Sequence, residues 1–504
     1  MPAAKGPGEP TDQPEARLVW PGKATPREVL AEAEATQVRF RVAERFDAGD
    51  GEPNLLFWGD NVHVAAALLE RWRGRIDLVY IDPPFGLQRT LRMGWGSHPS
   101  DPLAYDDRWP EGWAGYLQML YPRLVLIREL LSERGSLYVH MGPQLAPYVR
   151  VVLDELFGPG GFRNEIVWRR DAAGKGGKRR SLQWPRNTES ILFYTRRPRG
   201  YHFEQPSRPL SPRQAAAYRL REPDGRRFRA VQLGNYTETS IRRLEAEGRI
   251  YVSPSGRRYK KYYLDEATAT VDGLWTDLPG FGTRTAAREH LGYPGQKPEA
   301  LLERILLASS RPGDWVADLF CGAGTTLAVA ERLGRRWIGC DLAPLAVQTC
   351  RRRLAPAARR PFEIHWEEAP VRCTVHEGLP PVGVEAAWDG PAVRVRLVPP
   401  GDVSGGGTGA GAGEQGWAPE IDGWSLDVGA GSAFRHRWVS FRPYRPSDPP
   451  LALEIRSAAS GAGERLVVQV ADRDGRVFRF HGAPPGRDGG RAGSWEPLHP
   501  VAAG

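Results

Sequence analysis

A short segment of the sequence combines an acidic residue, two prolines and an aromatic residue, Asp82-Pro83-Pro84-Phe85. It follows the apolar run 76–81, so the pattern predicts a buried strand that ends at a loop. Because proline has no N–H and a fixed φ, this loop is stiff and its carbonyl groups stay free to accept hydrogen bonds. The Asp82 carboxylate and the Pro83 carbonyl can accept the two hydrogens of an exocyclic amine, while Phe85 can stack on a planar base. A strand-ending turn with a capping Asp is the structural alternative.

A second segment with chemical potential is the glycine loop Gly322-Ala323-Gly324, which lies between the strand-like run 315–320 and a helix that begins at Thr325. The next predicted strand ends at Asp341. This arrangement is typical of nucleotide-binding crevices, in which glycines allow close approach of the ligand and an acid about 20 residues later binds the ribose hydroxyls. The third glycine of a dinucleotide fingerprint is absent, and no G-K-[ST] follows. A ligand with adenosine but no pyrophosphate fits better, and S-adenosylmethionine (AdoMet) is the expected one, with Asp318 near its methionine ammonium group.

The segments around these two loops predict the elements that position them. A strand over 55–58, a helix with apolar residues at 64, 68 and 69, and the strand before Asp82 form a βαβ unit, so a parallel α/β sheet is expected. The next predicted strand ends at His140, for which we favour a structural role. Upstream, a short helix is expected from Thr25 to about Ala43.

Composition limits the function classes. The net charge of +9 over 504 residues favours a polyanionic partner. No apolar run of about 18 residues and no signal-peptide pattern is visible, so a soluble cytosolic protein without a membrane span is expected. The cysteines are scattered without a CxxC pair, so neither a zinc ribbon nor a disulfide framework is expected, and no metal site is predicted. They are Cys321, Cys340, Cys350 and Cys373.

Changes in composition along the chain predict its domain organisation. An irregular Arg/Tyr-rich region with weak periodicity interrupts the α/β pattern, and the C-terminal part is rich in short β-like runs, Gly and Pro. The predicted parts are 1–50, a flexible segment with a short helix; 51–200, the catalytic half; 201–290, an insert; 291–360, the cofactor-binding half; and 361–504, a β-rich domain with a Gly-rich linker at 405–413.

Two basic segments are candidates for contact with a nucleic-acid backbone. The run 169–180 contains glycines and cations without apolar residues, and the insert carries an aromatic–cation run at 259–263. A solvated surface loop is the alternative for the first run. The Gly/Pro/Ser-rich segment 94–102 is a candidate mobile lid. The candidate DNA-binding residues are Arg169, Arg170, Lys175, Lys178, Arg179, Arg180, Lys260 and Lys261.

Four segments, in this order along the chain, resemble the motifs of the permuted β class of DNA amino-methyltransferases. Gly59-Asp60-Asn61 resembles motif III, and Asp82-Pro83-Pro84-Phe85 resembles motif IV. The segment 293–298 is similar to the Y-P-T-Q-K-P sequence that precedes motif I, with Gly295 where Thr is usual. The segment 320–324 resembles motif I itself. The similarity covers about residues 55–354 and extends to the modification subunits of type III restriction systems.

The resemblance implies a circularly permuted, Rossmann-like AdoMet-dependent methyltransferase with a mixed, mostly parallel sheet. The insert occupies the family's target-recognition position, and the tail resembles a β-sandwich-like domain found on some members. The implied catalytic residues are Asp82, Pro83, Pro84 and Phe85. The implied cofactor-binding residues are Asp60, Gln296, Lys297, Asp318, Phe320, Gly322, Gly324, Thr325 and Asp341.

The D-P-P-F form of motif IV implies methylation of adenine N6 in double-stranded DNA, whereas S-P-P-Y is the usual cytosine-N4 form. Two alternatives stay open: methylation of cytosine N4 or of an RNA base, and a non-catalytic DNA-binding protein with a decayed site. A separate restriction subunit with helicase and nuclease activity and a second copy of the chain are further candidate partners.

Overall fold

The computed structural model describes residues 16–36, 38–93, 102–171, 182, 184–281, 289–368 and short stretches between 383 and 497. The candidate lid at 94–102 is therefore described only at residue 102, and most of the basic run and the linker at 405–413 lie outside the described residues. The chain divides into two compact units, of which the first comprises Met1–Phe203 and Thr276–Gly504 and the second Glu204–Trp275.

The secondary-structure elements fall into three consecutive parts of the chain. The first part contains α1 (Pro26–Ala35), β1 (Phe40–Phe46), β2 (Asn54–Trp58), α2 (Asn61–Trp72), β3 (Ile76–Ile81), β4 (Arg89–Arg92), β5 (Leu103–Asp107), α3 (Gly112–Leu130), β6 (Leu131–Met141), α4 (Ala146–Phe157), β7 (Phe162–Arg169) and β8 (Thr188–Thr195). The second unit contains β9 (Ser207–Pro209), α5 (Pro212–Ala215), β10 (Leu220–Arg221), β11 (Arg227–Gln232), α6 (Glu238–Ala246), β12 (Ile250–Val252), β13 (Arg258–Tyr263), β14 (Thr268–Thr270) and β15 (Leu274–Trp275). The chain continues with α7 (Glu299–Ser309), β16 (Trp315–Asp318), α8 (Thr325–Arg332), β17 (Arg336–Asp341), α9 (Pro344–Leu354) and β18 (Phe362–Glu367), followed by β19 (Gly383–Asp389), β20 (Ala392–Val398), β21 (Ile421–Val428), β22 (Phe434–Arg435), β23 (Trp438–Phe441), β24 (Glu454–Ala458), β25 (Leu466–Asp472), β26 (Val477–Gly482) and β27 (Glu496–Pro497).

A large twisted sheet forms the centre of the first unit. Its strands follow the order β7-β8-β6-β3-β16-β17-β2-β18-β1-β22. The pairs from β6 to β18 are parallel, and β8, β7 and β1 add antiparallel pairs. All six residues of β3 are buried, as expected for a strand covered by helices on both faces. This sheet confirms the predicted Rossmann-like α/β fold.

Strand order brings the two predicted loops together. Strands β3 and β16 are direct parallel neighbours, with Leu78 opposite Val316 and Val79 opposite Ala317. The loop after β3 begins with Asp82, and β16 ends at Asp318. Because the carboxyl ends of neighbouring parallel strands meet at one edge of the sheet, both loops lie where ligands bind in open α/β folds.

The expected helix from Thr25 to Ala43 is wrong beyond Ala35. Helix α1 begins with a capping box formed by Thr25 and Glu28, and it ends at Ala35. The following residues form β1, which pairs antiparallel with β18 from Phe40 to Phe46. Hydrogen bonding to a strand more than 300 residues away in sequence overrides the local helical pattern.

The second unit contains regular structure that its weak periodicity does not predict. Strands β10, β11, β13 and β12 form a four-stranded antiparallel sheet, and β9 pairs with β14. Phe228 and Tyr263 face each other across β11 and β13, and both are buried. The aromatic–cation run at 259–263 therefore belongs to a regular strand of this sheet.

The C-terminal strands form two antiparallel sheets, β19-β20-β24 and β23-β21-β25-β26-β27. Val395 of the first sheet and Trp424 and Val468 of the second belong to a single apolar core. This agrees with the predicted sandwich-like domain. In the described part of the chain, no helix is both long and apolar enough to cross a membrane.

Candidate active site

The loop that is predicted to be catalytic follows β3 and begins with Asp82, whose carboxylate already has a partner on one of its two oxygens. The ammonium group of Lys297 forms an ion pair with Asp82 Oδ2 and donates a hydrogen bond to the Gly295 carbonyl at 3.1 Å. The same ammonium lies 4.9 Å from the centre of the Phe85 ring. Asp82 Oδ1 is buried and has no hydrogen-bond partner among the described residues. The loop therefore presents one open acceptor oxygen beside an aromatic face.

The glycine loop after β16 has the tight geometry that its sequence predicts. Gly322 and Gly324 have φ of 48° and 68°, a left-handed conformation that favours glycine. A Cβ added at Gly324 would lie 2.8 Å from the Sγ of Cys350, so a side chain cannot fit there. The N–H of Gly322 donates to Asp341 Oδ2 at 2.9 Å, which connects the loop to the end of β17.

Two further carboxylates face the region between these loops. Asp318 accepts hydrogen bonds from the Phe320 N–H at 3.1 Å and from the Thr326 hydroxyl at 2.6 Å. Burial raises the pKa of Asp318 to about 7, and the nearby charges of Asp82 and Asp341 add to this rise. Burial also raises the pKa of Asp341. Clustered buried acids of this kind favour a ligand that carries positive charge.

The remaining residues predicted to bind a cofactor lie around the same space. Asp60 caps α2 by accepting the Val62 N–H at 3.0 Å, and it forms an ion pair with Arg123 at 2.6 Å. The Gln296 side chain bridges its own loop, since it donates to the Glu289 carbonyl and accepts from the Leu291 N–H, both at 2.8 Å. Gln296 therefore holds the segment that carries Lys297.

A single cavity of about 430 Å³ joins the two loops. This volume lies within the range of roughly 300–1,000 Å³ that small-molecule sites occupy. Every predicted cofactor residue except Gly324 lines it, and so do two of the predicted catalytic residues, Asp82 and Pro84. The lining residues from the predicted set are Asp60, Asp82, Pro84, Gln296, Lys297, Asp318, Phe320, Gly322, Thr325 and Asp341.

The part of the chain that contains both loops matches a known protein family. A profile of the DNA methylase family N6_N4_Mtase matches residues 76–351, which is more than half of the chain. The matched stretch starts at β3 and ends in α9, so it contains both loops and the cavity between them. The chain belongs to this DNA methylase family.

Relatives of this methylase include two methyltransferases and a subunit of a type III restriction-modification enzyme. The type II methyltransferase M.EcaI of Enterobacter cloacae is 29% identical over 67% of this chain and 77% of its own length. The DNA adenine methyltransferase YhdJ of Escherichia coli is 26% identical over 56% of this chain and 77% of its own length. The StyLTI Mod subunit, from a type III restriction-modification enzyme of Salmonella typhimurium, is 24% identical over 57% of this chain and 52% of its own length.

Solved structures similar to the methylase include the M1.HpyAVI–SAM complex, with 16% identity and a TM-score of 0.35. The similarity covers 59% of this chain and 98% of that one. As a member of the family, the methylase uses AdoMet as its methyl donor.

The cations predicted to contact DNA differ in their surroundings. Within the second unit, Lys261 forms an ion pair with Glu222 at 2.7 Å, and Lys260 donates to the Tyr236 hydroxyl at 2.9 Å. In the first unit, Arg170 pairs with Glu189 at 3.0 Å, and Arg169 lies at the end of β7. Lys175, Lys178, Arg179 and Arg180 lie outside the described residues.

His140, for which a structural role is expected, lies behind the catalytic loop of the methylase. Its Nδ1 is 2.8 Å from the Tyr80 hydroxyl, its Nε2 is 2.9 Å from Glu189 Oε2, and its ring centre is 5.8 Å from that of Phe85. Burial would raise the pKa of Glu189, but its contact with His140 and the charges of Lys297 and Arg170 lower it to about 2. The buried His140 ring thus lies next to the Phe85 ring.

Sequence reasoning missed three residues of the site. Arg123 of α3 and Tyr105 of β5 line the cavity, and Asp107, at the end of β5, binds the backbone just after Phe85. The acidic and aromatic residues at 105–109 are visible in the sequence, but nothing local indicates which of them turn inward. Only the pairing of β5 with β4 places them beside the catalytic loop.

Proposed function

We propose that this methylase transfers a methyl group from AdoMet to N6 of an adenine that is flipped out of double-stranded DNA at a specific site. The observation that carries the proposal is the buried, unpartnered Oδ1 of Asp82, whose ion-pair partner Lys297 lies 4.9 Å from the centre of the Phe85 ring. A buried carboxylate oxygen without a donor is costly, so the site is complementary to a ligand that brings an N–H group.

The residues around the cavity fit AdoMet. Gly322 and Asp341 line the cavity, and Asp341 lies at the end of β17, where a ribose acid is expected. Asp318 and Asp60 add carboxylates suited to the positively charged and amino groups of the ligand. When bound, AdoMet supplies an electrophilic methyl group on a sulfonium centre.

The catalytic loop is suited to hold a target base. Adenine N6 cannot reach a methyl donor inside the duplex, and unstacking the base costs a few kcal/mol. Stacking on Phe85 offsets this cost by about 1–3 kcal/mol. Hydrogen bonds from the amine to Asp82 Oδ1 and to the Pro83 carbonyl direct its lone pair away from the ring plane. Catalysis by this chain is therefore mainly positioning and electrostatic stabilisation.

The choice of adenine rests on the D-P-P-F sequence of the loop and on the similarity to an enzyme described as a DNA adenine methyltransferase. Both exocyclic amines, adenine N6 and cytosine N4, offer two hydrogens, so the geometry of Asp82 alone is compatible with either. Digestion of the methylated product and identification of the modified nucleoside separates these two bases, and the sugar separates DNA from RNA.

We also propose a restriction–modification role, because M.EcaI and the StyLTI Mod subunit are similar over more than half of this chain. In such a role the methylase protects a host site that a separate nuclease cleaves. Co-expression with a neighbouring nuclease gene, where the genome carries one, tests this: the host survives only if the methylase is active.

Long-read sequencing of DNA from a methylation-free host that expresses this chain is the test of the proposed reaction. N6-methyladenine at one short motif is expected with the wild type, and none with Asp82→Ala, although Asp82→Ala still binds AdoMet in a titration. N4-methylcytosine would replace the adenine assignment with its alternative. A wild-type protein that neither methylates DNA nor binds AdoMet would refute the proposal.

A further inference from the structure

Three consecutive backbone N–H groups just after the catalytic loop converge on one acidic residue, Asp107. The N–H of Gly86 donates to Oδ1 at 2.9 Å, and that of Leu87 donates to Oδ2 at 2.8 Å. The N–H of Gln88 donates to the Asp107 main-chain carbonyl at 3.0 Å. The indole N–H of Trp109 adds a fourth hydrogen bond, to Oδ1 at 2.9 Å. Asp107 is completely buried, so the N–H groups of Gly86, Leu87 and the Trp109 indole provide the stabilisation that its carboxylate needs.

The backbone that makes these contacts is unusual. Gly86 and Gln88 have φ of 68° and 55°, and Gln88 is the one non-glycine residue with positive φ in the described part of the chain. A left-handed conformation is unfavourable for a residue other than glycine. Successive N–H groups in such turns form a concave anion-binding nest. Here a carboxylate of the protein itself fills the nest, which stabilises the strained turn.

Asp107 is also connected to the wall of the cofactor cavity through its own strand. It is the last residue of β5, and Tyr105, two residues earlier, lines the cavity. The Tyr105 ring lies nearly parallel to that of Tyr293, with 6.5 Å between their centres. Since Gly86 directly follows Phe85, the Asp107 carboxylate joins the base-stacking residue to a strand that forms part of the cofactor wall.

We propose that Asp107 is a positioning residue for methyl transfer, which fixes Phe85 and the catalytic loop relative to the cofactor cavity by binding the amides of residues 86–88. This inference rests on the proposed function, because it assigns a purpose to the placement of Phe85. Asp107 itself touches neither the base nor AdoMet in this role.

Asp107→Asn is the first test, because it keeps the shape of the side chain and removes one acceptor. The amide has a single carbonyl oxygen, so its NH₂ group faces the N–H of either Gly86 or Leu87. A misplacement of about 1 Å can cost 100-fold in rate, so kcat at saturating DNA and AdoMet should fall by roughly 10- to 100-fold. AdoMet binding per folded molecule should stay near that of the wild type, because the Gly322 loop and Asp341 do not depend on this contact.

Asp77→Asn is the matched control. Asp77 lies near the opposite end of β3 and is also buried, and its carboxylate accepts hydrogen bonds from Ser132 and Arg134 at 3.0 Å and from the Trp315 N–H at 3.2 Å. Loss of these contacts should lower the melting temperature without changing kcat per folded molecule. Equal losses of kcat in the two variants would reduce Asp107 to a general structural role and overturn the inference.

A double-mutant cycle with Phe85→Ala tests whether Asp107 acts through the stacking residue. If it does, kcat of the double variant should be no lower than that of the slower single variant. If the two residues act independently, the two losses of kcat should multiply. Multiplied losses of kcat, or a wild-type kcat for Asp107→Asn, would overturn the inference while the proposed function stands.

A second variant is used if Asp107→Asn does not fold. Trp109→Phe removes one donor to the same carboxylate and should give a smaller loss of kcat; no loss would overturn the inference. A wild-type protein without methyl transfer would overturn both.

Discussion

Lys297 and Asp82 form an ion pair although 215 positions separate them in the sequence. The side chains are 10% and 18% exposed, so the pair is largely shielded from water. Resemblance alone places Lys297 among the residues that bind the cofactor. In the structure, its ammonium group binds Asp82 Oδ2 and leaves Oδ1 open, which fixes the direction in which the catalytic carboxylate can accept a hydrogen bond.

Substitution of Lys297 should therefore affect the catalytic carboxylate. Lys297→Met leaves Asp82 partly buried without its partner, so the free energy of unfolding should fall by about 1–3 kcal/mol, and methyl transfer should slow. Lys297→Arg should retain most activity. In urea unfolding, Asp82→Asn combined with Lys297→Met should be more stable than Lys297→Met alone, since both charges are removed. A double variant that is still less stable would show that the pair is not the source of the effect.

Phe85 should contribute through its ring face. Phe85→Ala removes a stacking contact of about 1–3 kcal/mol, so kcat/KM for DNA should fall by roughly 5- to 150-fold. Phe85→Tyr keeps the ring and should stay near the wild type. Steady-state kinetics with a short duplex substrate measure both values. Equal losses in the two variants would contradict a stacking role.

Asp318 should make AdoMet binding depend on pH. Its pKa of about 7 in the folded protein lies above the ordinary value of 3.8, because burial disfavours the charged form. The folded protein thus holds a proton on Asp318 between these two values, and this group makes the free protein less stable as pH rises from about 4 to 7. AdoMet is positively charged at its sulfonium and ammonium groups, so its affinity should increase as pH rises through about 7 and then level off.

Calorimetric titration at a series of pH values measures this dependence. Asp318→Asn cannot ionise, so its AdoMet affinity should be lower above pH 7 and should lack the rise that the wild type shows there. A rise of the same size in Asp318→Asn would assign the titration to another group, such as Asp341, whose pKa burial also raises.

The local sequence was sufficient to predict both loops, because proline and glycine strongly affect the backbone conformation at their own positions. The strand before Asp82 and the turn at Gly322 and Gly324 follow from such local rules, and the similarity of motif order placed them at one edge of the sheet. The end of α1 was predicted incorrectly, because pairing of β1 with β18 is a long-range contact. The roles of Lys297 and Asp107 could not be predicted for the same reason. The residues that they contact are known only once the pairing of the strands is known.

A buried charge cluster shows how the C-terminal part of the chain stabilises the catalytic sheet. Arg351 of α9 donates two hydrogen bonds to Glu44 of β1, at 2.8 and 2.6 Å, and His436 Nε2 lies 2.9 Å from the same carboxylate. Burial would raise the pKa of Glu44, but Arg351 and His436 together lower it well below its ordinary value of 4.5. This contribution to stability is therefore present above about pH 4.5 and is lost as pH falls further.

Replacement of Glu44 tests the importance of that cluster. Glu44→Gln leaves the Arg351 charge buried without its counter-ion, so the free energy of unfolding should fall by about 3–5 kcal/mol at pH 7. Glu34→Gln, which breaks the exposed ion pair with Arg73, should change it by at most about 1 kcal/mol. The activity per folded molecule should not change in either variant, because neither residue lines the cavity. Urea unfolding and methyl transfer, measured on the same preparations, test both parts. A small loss of stability in Glu44→Gln would mean that water reaches Arg351 when the carboxylate is gone.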